Sequence, residues 1–69
     1  MIHIFGTGKY LGTLPQEDEY RKIKIYDRAV THEFLIRHDT RIHVSIGQMC
    51  FFRAMVVKGM IYVIEIRRV

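Results

Sequence analysis

With 69 residues, 49% hydrophobic and 26% charged, the chain has the balance of one globular domain (residues 1–69), which excludes a disordered polymer and leaves a core that is marginal by itself. Its formal charge of +4 is uneven: residues 1–20 carry one base (Lys9) against three acids (Glu17, Asp18, Glu19), net −2, and residues 21–69 carry ten bases against four acids, net +6. Such a basic body suits a polyanionic partner.

The first predicted element covers residues 2–14, a strand in which Gly6, Gly8 and Gly12 fall where bends, bulges or close backbone approach are needed. Pro15 then opens the polar stretch Gln16-Glu17-Asp18-Glu19, read as a solvated loop. A second strand follows at about residues 20–28. Its run Arg21-Lys22-Ile23-Lys24-Ile25-Tyr26-Asp27-Arg28 alternates strictly. Ile23 and Ile25 fall on one side, with Lys22, Lys24, Tyr26 and Arg28 on the other. The polar side thus offers positive charge for phosphates and a flat ring for an unstacked base. A solvated strand with one tyrosine has the same pattern, so the alternation alone does not decide.

Asp27 to Thr31 turns the chain into a third strand at about residues 32–38. Even positions stay apolar beyond it (Phe34, Ile36, Ile42, Val44, Ile46), leaving Leu35, Arg37, Arg41 and His43 outside, with a bend around Asp39. Ile46-Gly47-Gln48 reads as a turn into a fourth strand, Met49 to Val57. Lys58-Gly59 is a two-residue hairpin turn, and Met60 to Arg68 is the fifth strand. No window has helical periodicity with a cap, so little or no helix is expected. Five strands joined by short connections predict an all-β fold, a small antiparallel barrel, because a flat sheet of this size leaves two open edges.

The pattern Ile4-Phe5-Gly6, Ile23-x-Ile25-x-Asp27, Val44-x-Ile46-Gly47-Gln48 and Gly59-x-Ile61-x-Val63-x-x-Ile66, ending in Glu65-Ile66-Arg67-Arg68-Val69, resembles the OB-fold of single-stranded DNA-binding proteins. The chain departs from that family in lacking a helix between the third and fourth strands and in its minimal length. The resemblance implies a ligand lying across the outer surface of strands two and three, flanked by loops. On this sequence that surface carries Lys22, Lys24, Tyr26 and Arg28, with Leu35, Arg37 and Arg41 beside them. The fourth strand turns Cys50, Phe52 and Ala54 inward and Phe51 and Arg53 outward. Phe51 is then a second stacking platform or a ring covered by a loop or a second subunit. Phe34 belongs to the core in the even phase and to the ligand face after a one-residue shift.

Other chemistry finds little support. Gly6-Thr7-Gly8-Lys9 lacks the leading glycine of a phosphate loop and no helix follows it. His3, His32, His38 and His43 do not pair at metal-ligand spacing, so neither a metal nor another cofactor is expected. Cys50 is the only cysteine; it reads as a packed thiol and points to a reducing, cytoplasmic compartment. The apolar opening stops at Gly6, too soon for a secretory signal, and no segment approaches the roughly 20 apolar residues that cross a bilayer.

The expected function is non-catalytic binding of single-stranded nucleic acid, DNA ahead of RNA, with little base specificity and no small-molecule substrate. Lys22, Lys24, Arg28, Arg37, Arg41 and Arg53 supply charge; Tyr26, with Phe51 or Phe34, supplies stacking. The alternatives are an RNA-binding barrel of cold-shock or translation-initiation type and an assembly module built on Leu35, Met49, Phe51 and Met55. A chain this short readily shares a surface with a second copy, so a homo-oligomer, dimer or larger, is also expected.

Overall fold

A computed structural model describes residues 2–15 and 19–69. Gln16, Glu17 and Asp18, most of the expected acidic loop, lie outside the described residues, whereas Glu19 is an exposed bend. Alternation becomes strand along nearly all of the rest: β1 (Ile2–Leu14), β2 (Tyr20–Asp27), β3 (Val30–Arg37), β4 (Ile42–His43), β5 (Met49–Val57) and β6 (Met60–Arg68). No helix occurs among the described residues, and so none is long and apolar enough to cross a membrane.

The strands run in the order β3-β2-β1-β5-β6, and β3 returns to pair with β6, which closes a ring of five. The expected small all-β barrel is therefore present, with one difference at its seam. Leu35 and Ile36 of β3 pair in parallel with Tyr62 and Val63 of β6. Short connections force antiparallel pairing only between consecutive strands. β3 and β6 are separated by residues 38–59, long enough to bring the chain back in the same direction. The expected bend after β3 contains the sixth element, β4, which also lies parallel to β6 through Ile42 and His43.

The inward positions form one apolar core. Ile23, Ile25, Ile36, Cys50, Ala54 and Ile66 are fully buried, with Val63 beside them. Tyr10, Phe34 and Phe52 complete the cluster, and Ile4, Ile42, Val44 and Ile61 pack against it. The even phase fails at Ile46, which is 72% exposed. The reason lies in the turn that follows. Gly47 (φ 90°) donates its N–H to the Tyr10 carbonyl at 2.8 Å, so the segment rides over the outside of β1. Ile46 then lies where a side chain on Gly12 would project.

Gly12 (φ 120°) marks a bulge: Tyr10 pairs with Ile25, Gly12 with Lys24, and Leu11 is the extra residue. A bulge reverses the phase of a strand. Tyr10 and Thr13 consequently both face inward and join their hydroxyls in a hydrogen bond. Gly8 meets a different need. A Cβ there would stand 2.5 Å from Ile25 Cγ2 and 2.8 Å from the Tyr26 carbonyl oxygen. Only glycine lets β1 and β2 approach this closely at Tyr26.

Candidate nucleic-acid interface

On β2, burial follows the predicted alternation. Ile23 and Ile25 are inside, Lys22 and Tyr26 are exposed, and Lys24 is half-buried on the outer side. Register with the neighbouring strands builds the surface around them. Lys22 lies between Leu14 of β1 and Leu35 of β3, Lys24 between Gly12 and Glu33, and Tyr26 between Lys9 and Thr31. Directly opposed residues hold their Cβ atoms about 4.5–5.5 Å apart. Glu33 therefore places one carboxylate inside the cationic row, next to Lys24. Leu35, half-buried, gives the row an apolar step, and the β5–β6 turn borders it: Lys22, Glu33, Leu35, Gly59 and Met60 line a cleft of about 280 Å³.

Arg28 and Arg37 extend this face at its two ends. Arg28 occupies the β2–β3 turn, just beyond the strand, with left-handed backbone (φ 51°) followed by Ala29 (φ 67°). The β5–β6 turn has the same two-residue shape but glycine at its second position, Lys58 (φ 52°) and Gly59 (φ 77°). Arg37 ends β3, opposite Tyr20, and its Nε lies 3.2 Å from Asp39 Oδ1. Arg41 is exposed in the segment between β3 and β4. Tyr20 escaped the sequence reading, although it continues the outward phase of Lys22, Lys24 and Tyr26. Its ring meets Tyr62 at 5.2 Å, and the pair borders a cleft of about 390 Å³ with Arg37, Met55 and Ile64.

Arg21 of the alternating run and Phe34 of β3 lie elsewhere. Arg21 turns toward the end of the barrel, where its Nη2 donates to the Thr40 carbonyl at 3.1 Å. Phe34 is 7% exposed. It packs against Phe52 at 5.2 Å and under the parallel ring of His32 at 5.6 Å, so the even-phase assignment to the core holds, while Phe34 also lines the cleft beside Lys22.

Phe51 and Arg53 face outward as expected, but on the other side of β1. Phe51 pairs across β1 with Thr7 and across β6 with Arg67, and Arg53 with Phe5 and Glu65. The Arg67 guanidinium sits 5.3 Å from the Phe51 ring centroid, Phe5 lies 6.2 Å from the same ring, and Arg53 Nε is 3.8 Å from Glu65 Oε1. Phe5 and Arg67 were not among the predicted residues. Strand alternation supplied a signal for Phe5: Ile4, Gly6 and Gly8 turn in, so Phe5, Thr7 and Lys9 turn out.

Cys50 is buried, and burial pushes its thiol above the ordinary range, partly offset by a backbone hydrogen bond from Gly8. A neutral thiol in the core is a packing group, not a nucleophile. Among the described residues no three His, Cys, Asp or Glu side chains gather as a metal-binding set. No family model, curated protein or solved structure matches this chain.

Proposed function

We propose that the chain is a non-catalytic, OB-type module that binds single-stranded nucleic acid, DNA ahead of RNA, across the outer face of β2 and β3. One observation carries this reading: Lys22, Lys24 and Tyr26 share one outer row, opposite the buried Ile23 and Ile25. The order β1-β2-β3-β6-β5, closed on β1, supports the OB assignment. So does the turn at Gly59, which borders Lys22 as a loop flanks the ligand in that architecture. Lys22, Lys24, Arg28 and Arg37 attract phosphates, and Tyr26 stacks a base for about 1–3 kcal/mol. Glu33 opposes Lys24 and holds the phosphate path toward Lys22 and Tyr26. Contacts to phosphate and ring faces read no sequence, so base preference is small. The free thiol of Cys50 fits a reducing, cytoplasmic compartment.

Binding of a thymine oligomer at rising salt tests the reading. Four neutralised phosphates give a slope of log K against log salt of about −3. The double change Lys24→Glu with Tyr26→Ala abolishes binding of a short oligomer, about four nucleotides, while the melting curve stays close to that of the parent. A salt-independent affinity, or a folded double variant that still binds, contradicts it. Matched DNA and RNA oligomers decide between the two polymers, since only RNA offers a 2′-hydroxyl.

A further inference from the structure

The sheet formed by β1, β5 and β6 carries a second, separate ring cluster. Phe5 is 65% exposed. Beside it, the Phe51 ring is held between Phe5 at 6.2 Å and the Arg67 guanidinium at 5.3 Å. Thr7, Phe51, Arg67 and Arg68 line a shallow cleft there. The cations around the rings are Lys9, Arg53, Arg67 and Arg68; of the acids, Glu65 lies 3.8 Å from Arg53 and Asp27 lines a cleft with Phe5 and Thr7 on the β2 side. A cation already seated on one ring, beside a second open ring, matches the combination that holds unstacked bases and their phosphates.

The two faces are joined across β1. Lys9 pairs with Tyr26 of β2 on one side and with Met49 of β5 on the other, and Thr7, two residues back, pairs with Phe51. Strand spacing then sets Tyr26 and Phe51 roughly 12 Å apart, two strands across and two residues along. Lys9, exposed, stands between them.

We infer that Phe5, Phe51 and Arg67 form a second stacking site for the same single strand, which leaves the β2–β3 face at Tyr26, passes Lys9 and continues over β5. This rests on the proposed function and extends the path by several nucleotides. A second copy of the chain is the poorer occupant. A two-fold interface on this patch sets one cation-rich surface, with Lys9, Arg53 and Arg67, against an identical one, positive charge facing positive charge.

The test compares thymine oligomers of about 4 and 12 nucleotides, both within the site sizes of such barrels. It uses the whole chain, the double variant Phe5→Ala/Phe51→Ala and, since Phe51 is half-buried, the exposed-site variant Arg67→Glu. Sedimentation runs beside each titration. The longer oligomer is expected to lose about tenfold or more in affinity with either variant, the shorter one much less. Arg67→Glu is also expected to lower the salt slope measured with the longer oligomer by about one. If the parent binds the longer oligomer, Lys24→Glu/Tyr26→Ala weakens it and the folded β5-face variants do not, this second site is wrong and the first stands. Variants that turn an oligomer into a monomer without touching affinity assign the patch to self-association. A parent that binds neither oligomer removes both sites.

Discussion

The two outer faces of this barrel have similar ingredients and differ in how they are assembled. On β2–β3 the cations and the ring form a spaced row: Lys22, Lys24 and Tyr26 are set apart by strand alternation and point away from the core, with Glu33 opposite Lys24. On β1–β5–β6 the groups touch one another, with Arg67 over Phe51, Phe5 at its side, and Arg53 near Glu65. On the proposed reading, the first face would take up a polymer by moving its side chains. The second is preorganised and would lose less rotamer entropy on meeting a base. Preorganisation favours a ring platform, whereas free lysines favour long-range capture of phosphate.

Both faces hang on one core, and the largest effect follows from breaking it. Ile25→Ala removes a fully buried side chain that lies under Tyr26 and against Gly8. It is expected to cost about 2–5 kcal/mol in a denaturant melt and to weaken both faces together. Loss of one face alone would show that the two are not carried by a single cooperative unit.

Gly8→Ala sharpens the comparison further. The added methyl collides with Ile25 and with the Tyr26 backbone, beneath the first face. Overpacking of this kind costs about 1–3 kcal/mol, and the Tyr26 side should suffer more than the Phe51 side, as read by oligomer affinity of Tyr26→Ala and Phe51→Ala partners made on the Gly8→Ala background. The smallest effect is a gain. Ala29 holds a left-handed conformation that Gly59 provides without strain in the other hairpin. Ala29→Gly is expected to raise stability by about 1 kcal/mol in the same melt, leaving both faces intact.

The same contrast separates what the sequence disclosed from what it concealed. Lys22, Lys24 and Tyr26 opposite Ile23 and Ile25 were legible because strand alternation is local, needing only adjacent residues. The Lys58-Gly59 turn was legible for the same reason. Glu33 beside Lys24 and Phe5 beside Phe51 depend on which residues face each other across strands. Phe5 and Phe51 meet through pairing of β1 with β5, far apart in the chain, and no local pattern fixes that register. The parallel seam of β3 with β6 comes from ring closure, and the covering of Gly12 by Ile46 from the Gly47 hydrogen bond to Tyr10, both between residues far apart in the chain. Phe34 was ambiguous because one residue of slippage exchanges the faces of a strand. Its partners Phe52 and His32 resolve it to the interior.

The most direct measurement is a titration of a short thymine oligomer, about four nucleotides, into isotope-labelled protein, following backbone amide signals residue by residue. Shifts gathered on Lys22, Lys24, Tyr26 and their β3 partners Glu33 and Thr31, fading as salt is raised, are the predicted result. Amides of β2 and β3 that stay still at saturating oligomer, with movement elsewhere or none at all, would contradict it.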